Sequence, residues 1–350
     1  MVTEKPPVAT VATNMIVVLD PDAPDEAASE VVDLLDAARV DCHVVVDQGR
    51  QVVIAPGAPS DVVAAVAGLS AVERVVKTSG PAMLVSSAYS PKRTVIDVSG
   101  VPVGGETFVV IAGPCAVESR DQILEAAHAV KRHGARLLRG DAFKPRTSPY
   151  TFQGLGESAL KLLADARDET GLPFVAEVLD TRDVELVAGY ADMIRVGTRN
   201  MSNYALLREL GRQSKPVLLK RGRTATIDEW LSAAEHVYGA GNPNIVLVER
   251  GIRTFEPSTR NMLDITAVPL VRQRTHLPVL VDPSHAAGDS SLVPSLARAA
   301  MAAGADGLMV DVHPDPASAL VDGDQALTPS EFGDMMNQLR AMAAALGLAI

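Results

Sequence analysis

The 350-residue chain is short of aromatic side chains, with one Trp, five Tyr and six Phe. Its core must therefore be aliphatic, built on Val, Ala and Leu. Cysteine is as scarce: Cys42 and Cys115 are the only two, too few for a disulfide framework. No apolar run approaches the roughly 20 residues of a membrane span. No charged stretch followed by a signal-like apolar segment stands at the start. The sequon Asn200-Met201-Ser202 is accordingly read as chance, and a soluble, cytoplasmic protein is expected. Positive charge is in deficit: 32 Lys and Arg face 43 Asp and Glu, a formal net charge of −11. That argues against nucleic acid and membrane as partners, while leaving room for a local basic pocket that takes a small anion.

What is present falls into two rhythms. After a flexible, Pro-containing tail (1–13), residues 14–80 read β-α-β-β-α-β. Strands are expected at 14–19, 42–47, 51–55 and 72–77, helices at 25–40 and 60–69, and a hairpin at Gln48-Gly49-Arg50. This is the ferredoxin-like arrangement, and nothing in it has the make-up of an active site; Cys42 and His43 read as strand residues. Residues 81–106 form a linker and a small barrel-capping hairpin. From 107 to 350, eight apolar runs at 108–112, 136–139, 174–178, 193–196, 217–220, 245–248, 279–281 and 308–310 alternate with helices at 120–133, 157–170, 180–190, 204–213, 227–238 and 290–303. That count over about 240 residues predicts a (β/α)8 TIM barrel. The runs lack polar alternation, as strands buried on both faces should.

Chemistry in such a barrel belongs at the C-terminal strand ends, and every one of the eight carries a charged or metal-capable side chain. Any one alone has a structural explanation; eight on one rim do not. Cys115, His285, Asp311 and Asp322 make a mixed thiolate, imidazole and carboxylate set suited to a divalent transition metal. They lack the Cys-pair spacing of a structural zinc site. Arg139, Lys144, Arg146, Arg199, Lys220 and Arg250 make a cationic set. In an acidic protein they imply a strongly anionic substrate, phosphates or a phosphate with a carboxylate. Thr147 and Ser148 add hydroxyls beside Arg146. Gly154-Leu155-Gly156 lacks the third glycine and preceding strand of a dinucleotide loop. His128 and His133 do not share a helix face, His236 and His276 read as surface or core, and His313, before Pro314, reads as a turn residue.

The stretches "AGPCAVES", "LLRGDAFKPRTSPYTFQGLG", "VGTRNMSNYALL", "VLLKRG", "ERGIRTFEPSTRN", "LVDPSHAAGD" and "DVHPDPASALVDGDQ" resemble the 3-deoxy-D-arabino-heptulosonate-7-phosphate (DAHP) synthases, in particular those with an N-terminal ferredoxin-like regulatory domain. The resemblance runs from about Met15 to the C-terminus. It implies condensation of phosphoenolpyruvate with D-erythrose 4-phosphate, the first step of the shikimate pathway of aromatic amino-acid biosynthesis. It also implies one divalent metal ion (Mn2+, Co2+, Fe2+ or Zn2+) on Cys115, His285, Asp311 and Asp322. Phosphoenolpyruvate contacts fall on Arg139, Lys144, Arg199, Lys220 and Arg250, and erythrose 4-phosphate contacts on Lys144, Pro145, Arg146, Thr147 and Ser148. Lys144, Lys220 and Glu177 are the expected catalytic side chains, Glu177 or Lys220 acting on the water that adds to phosphoenolpyruvate. The resemblance further implies a homo-oligomer, expected to be a tetramer, and feedback control by Tyr or Phe bound between N-terminal domains.

Three positions depart from the family's pattern. Asp311 stands where Glu is usual and loses one methylene of reach. Asp141 stands where Gly is common and is expected to place an acid among the phosphate ligands. Ala286-Ala287-Gly288-Asp289 lacks a basic residue often found after Ser-His. The last two predict a less positive pocket. The alternative readings are a 3-deoxy-octulosonate-8-phosphate synthase, which takes arabinose 5-phosphate, and a degenerate, non-catalytic effector-binding barrel. Lys-Pro-Arg-Thr-Ser, where the former family is expected to read Lys-Ala-Asn-Arg-Ser-Ser, and the N-terminal domain favour the heptulosonate reading.

Overall fold

The computed structural model describes residues 13–24, 26–78 and 80–350, and the chain parts between Pro91 and Lys92 into two compact units. Of the expected tail, residues 1–12 lie outside the described residues.

In the first unit the order is β1 (Thr13–Leu19), α1 (Ala27–Ala37), β2 (His43–Asp47), β3 (Arg50–Ala58), α2 (Ser60–Ala67) and β4 (Val72–Thr78). The strands form one antiparallel sheet in the order β2-β3-β1-β4, the ferredoxin-like topology. Strand alternation explains it: Met15, Val17 and Leu19 of β1, with Val53 and Ala55 of β3, share a core with Val31 and Leu35 of α1 and Val62 and Val66 of α2. Gln48 and Gly49 make the tight turn between β2 and β3, both at positive φ (50° and 81°), the backbone that a two-residue hairpin loop requires.

The second unit opens with a hairpin, β5 (Ile96–Val98) and β6 (Val101–Val103). Next come β7 (Val109–Gly113), α3 (Arg120–Arg132), β8 (Leu137–Arg139), α4 (Glu157–Thr170), β9 (Phe174–Val178), α5 (Val184–Tyr190), β10 (Met193–Val196) and α6 (Tyr204–Gly211). The second half adds β11 (Val217–Lys220), α7 (Ile227–Tyr238), β12 (Ile245–Glu249), α8 (Ala267–Arg274), β13 (Val279–Val281), α9 (Pro283–Ala287), α10 (Val293–Ala302), β14 (Gly307–Asp311) and α11 (Pro329–Leu346). β7 to β14 close into an eight-stranded parallel barrel, a (β/α)8 architecture. Ile96, Val98, Val101 and Val103 of the hairpin share one apolar cluster with Val109, Val175, Met193 and Leu218 near the strand beginnings, which closes the end of the barrel opposite the strand C-termini.

Two expected helices start differently. Those at 180–190 and 290–303 open as 3-10 turns, Thr181–Asp183 and Ser290–Leu292, because Asp180 and Asp289 accept from Arg182 N and Ser291 N and tighten the first turn. α8, α9 and α11 are not among the helices named from the sequence. α11 nevertheless carries a full start signal, a Thr328/Glu331 capping box with Pro329 at its first position. No described helix is long and apolar enough to cross a membrane.

Candidate active site

At the end of β7 the chain turns through Gly113, whose φ of +148° and closeness to β8 exclude a side chain: a Cβ would lie 2.3 Å from Arg139 O. The turn delivers Cys115 to the rim. There its Sγ meets side chains from three other places: His285 on α9, Asp311 at the end of β14 and Asp322 in the loop before α11. One ligand atom from each of the four lies within 4.8 Å of the others. Cys115 Sγ is 3.1 Å from Asp322 Oδ2 and 3.9 Å from His285 Nε2, and His285 Nε2 is 3.7 Å from Asp322 Oδ2. Asp311 sits on the other side of the ring, Oδ2 being 3.5 Å from His285 Nδ1. Asp322 holds a left-handed backbone (φ 55°, ψ 36°), a strained conformation for a non-glycine residue and one that aims its carboxylate inward.

The donor set fits a metal. Burial pushes His285 down to about 4, so the ring is neutral at pH 7 with a lone pair to offer. Its Nδ1 faces Asp282 at 3.0 Å, the carboxylate–imidazole arrangement that fixes a metal-ligating histidine. Burial pushes the Cys115 thiol up to about 12 even with the Lys144 ammonium 3.1 Å from Sγ, and a divalent ion bound at Sγ would hold it as thiolate. Asp311 Oδ1, wholly buried, has no hydrogen bond. Arg139 Nη1 lies against it as an ion pair, off the direction of a hydrogen bond.

Beside this group opens a cavity of about 450 Å3. Nine Lys and Arg side chains line it against two carboxylates, Glu177 and Asp322. Lys144, Arg146, Arg199, Lys220 and Arg250 all reach it, with Pro145, Thr147, Ser148, Glu177 and His285. Arg139 does not; it is buried beneath, its Nε donating to Pro114 O at 3.3 Å. The cations keep donors in reserve. Arg250 Nε and Nη1 and Arg146 Nη1 are buried without a partner, and such groups are costly unless a ligand meets them. Burial lowers Arg250 to about 10 and Lys220 to about 8, and an anion between them would reverse that cost. Lys144 joins the two halves: its Nζ donates to Cys115 Sγ (3.1 Å), Cys115 O (3.0 Å) and Asp141 Oδ2 (2.7 Å).

The expectation of a less positive pocket is corrected. Asp141 is buried, absent from the cavity wall, and occupied by Arg195 at 2.5 Å and Lys144. Burial works against its charged form, yet Arg195 and Lys144 hold its carboxyl well below the usual carboxylate range. Arg195, in the middle of β10, also donates to Glu177 Oε2 at 2.6 Å. It went unnoticed as a site residue, although a charge inside a four-residue buried strand is itself the signal. Asp282 was also missed: it ion-pairs Lys220, caps α9 through His285 N, and faces His285 Nδ1. So was Gln325, whose Nε2 donates to Asp311 Oδ2 at 2.6 Å while its Oε1 accepts from Arg260. His313 serves a turn, its Nδ1 accepting from Asp315 N.

Glu177 is held by packing as well as by Arg195. A Cβ on Gly197 would lie 1.8 Å from Glu177 Oε1. Gly197→Ala is therefore expected to displace Glu177 and uncouple Arg195. The expected cost is about 2–4 kcal/mol of stability, read as a lower denaturation midpoint, with turnover falling beyond what the unfolded fraction explains.

Residues 87–346 match the DAHP synthetase I family. Over 337 residues the chain is 47% identical to the phospho-2-dehydro-3-deoxyheptonate aldolase of Thermotoga maritima, spanning 96% of this chain and 100% of that protein. A 2-dehydro-3-deoxyphosphooctonate aldolase of a Bradyrhizobium species is 32% identical over 252 residues, 67% of this chain and 87% of that one. The crystal structure of the Thermotoga maritima DAHP synthase superposes with a TM-score of 0.78 at 47% identity, covering 96% of this chain and 99% of that one. A truncated form of the 3-deoxy-D-arabino-heptulosonate 7-phosphate synthase from Thermotoga maritima gives 0.73 at 48% identity over 77% of this chain and 99% of that one.

Proposed function

The chain belongs to the DAHP synthetase I family, and from that premise we infer that it is a transferase condensing phosphoenolpyruvate with D-erythrose 4-phosphate to 3-deoxy-D-arabino-heptulosonate 7-phosphate and inorganic phosphate. The observation that carries this reading is Lys144, which touches Cys115 Sγ and lines the cationic cavity with the same ammonium group. A group able to hold a metal and a clamp for a doubly anionic substrate thus stand one side chain apart.

Cys115, His285, Asp311 and Asp322 would hold a divalent ion, Mn2+, Co2+, Fe2+ or Zn2+, which when bound supplies Lewis-acid polarisation of an aldehyde oxygen. Lys144, Arg199, Lys220 and Arg250 hold the carboxylate and phosphate of phosphoenolpyruvate. Arg139 acts from beneath, fixing Asp311. Arg146, Thr147 and Ser148, on a segment stiffened by Pro145, hold the sugar phosphate. Carbon 3 of phosphoenolpyruvate bonds to the aldehyde carbon and water adds at carbon 2. The bond from carbon 2 to the phosphate-bearing oxygen then breaks, so phosphate departs with that oxygen. Glu177, anchored by Arg195, orients the water. A site built this way works by positioning and by fixed charge.

The test is turnover of phosphoenolpyruvate with erythrose 4-phosphate before and after chelation. Activity is expected to vanish with chelator and return on adding a divalent metal; turnover indifferent to chelator rejects the reading. Lys220 sets a pH limit. Its ammonium, lowered to about 8 by burial, is charged and able to clamp below that pH and neutral above it. The Michaelis constant for phosphoenolpyruvate is therefore expected to rise as pH passes about 8, and a constant value to pH 10 would contradict the assignment.

The first unit fits a regulatory role with Tyr or Phe as effector, within a homo-oligomer expected to be a tetramer. A protein lacking residues 1–91 is expected to stay active and to lose inhibition by Tyr or Phe. If the intact enzyme ignores both amino acids, the regulatory role is lost.

A further inference from the structure

The second unit neutralises most of its inward-facing arginines. Arg195 has Asp141 and Glu177. Arg221 has Glu249 at 2.9 Å and Asp264 at 2.8 Å. Arg93 and Arg272 share Asp306, and Arg260 has Asp322 and Gln325. Arg199, Arg223 and Arg253 are not neutralised: like Arg146 and Arg250 of the first cavity, among the described residues none of the three side chains makes an ion pair or hydrogen bond. They come from the loops after β10, β11 and β12, and the last two loops are joined by a backbone hydrogen bond from Arg253 N to Arg223 O at 2.6 Å. All three line a second cavity of about 370 Å3 with Thr198, Ser202 and Thr224. Its one acidic neighbour, Glu229, is spent on capping α7, its Oε2 accepting from Thr226 N and Oγ1. Arg223 is lowered by burial and then by the charges of Arg253 and Arg199, the mark of cations gathered without a counter-ion. In a chain with 43 acidic residues, a gathering left bare calls for a ligand.

We propose that Arg223, Arg253 and Arg199, with the hydroxyls of Ser202 and Thr224, form a second oxyanion station that takes a phosphate group next to the substrate cavity. Three guanidinium forks and two hydroxyls match a tetrahedral oxyanion, which accepts on every face. The cavities adjoin through Thr198, Arg199, Arg223 and Arg253, which line both. A phosphate leaving the first therefore passes from one set of guanidinium groups to the next without entering bulk water uncompensated. The role as a stop for released inorganic phosphate rests on the proposed reaction; the binding itself does not.

The experiment is isothermal titration of the full-length, metal-loaded protein, first with phosphoenolpyruvate, then, with that saturating and no aldose present, with inorganic phosphate. Failure of the first titration counts against the proposed function and is visible before phosphate is added. Wild-type protein is expected to bind phosphate, and Arg223→Ala/Arg253→Ala to bind it at least about tenfold more weakly, whereas Arg146→Ala retains it. Arg223→Lys/Arg253→Lys keeps both charges and is expected to recover measurable binding. Glycerol 3-phosphate serves as a second probe: equal binding of both assigns the station to phosphate groups in general, and preference for inorganic phosphate assigns it to the leaving product. No phosphate binding by the wild type overturns the proposal. So does loss confined to Arg146→Ala, which would put the phosphate in the sugar-phosphate position.

Discussion

Cys115→Ala is expected to lose its metal and its turnover together, with kcat falling at least about 10^3-fold. Cys115 contributes the one soft donor of the group, and its Sγ is within 3.9 Å of His285 Nε2 and 3.1 Å of Asp322 Oδ2. Without it, one imidazole and two carboxylates remain, and the balance moves towards harder, more weakly held ions. The fold should survive. Cys115 packs in a small satellite cluster with Ala116 and Val321, not in the barrel interior. Metal content of the purified variant and its far-ultraviolet dichroism check both halves. Full metal occupancy in an inactive variant would mean that the thiol serves chemistry other than ligation.

Lys144→Gln is expected to lower kcat/KM for phosphoenolpyruvate by about 10^3-fold, about 4 kcal/mol of transition-state stabilisation, while leaving the protein folded and able to bind metal. Lys144 is charged in spite of burial, because Asp141 first and Cys115 next favour its ammonium form. Removing it breaks the link between the cavity and the Cys115 sulfur. Asp141 is not stranded, since Arg195 still pairs with it at 2.5 Å, so the large penalty for a buried unpaired carboxylate is avoided. Steady-state kinetics with thermal denaturation separates the outcomes. A drop in the denaturation midpoint that matches the activity loss would make Lys144 a structural residue.

Much of the barrel was legible because its strands are short and buried on both faces. Phe174–Val178, Met193–Val196, Val217–Lys220 and Val279–Val281 stand in the sequence as apolar runs with the same ends that they have in the fold. Three residues of the metal-capable group were legible for a related reason: Cys115, His285 and Asp311 lie at or just past the end of an apolar run, and barrel topology puts all such ends on one rim, while Asp322 comes from the loop that follows β14. What stayed hidden is pairwise. Asp141 looked like a charge aimed at substrate, and only the neighbouring strands show that Arg195 absorbs it. Asp282 and Gln325 act through His285 and Asp311 and carry no motif of their own. α8 and α9 escaped because each is short and contains a proline.

The most direct test of the account presents the purified, metal-loaded protein with phosphoenolpyruvate and either D-erythrose 4-phosphate or arabinose 5-phosphate, with phosphate release as the readout. The account predicts release with erythrose 4-phosphate and little or none with arabinose 5-phosphate. Release with arabinose 5-phosphate alone would contradict it.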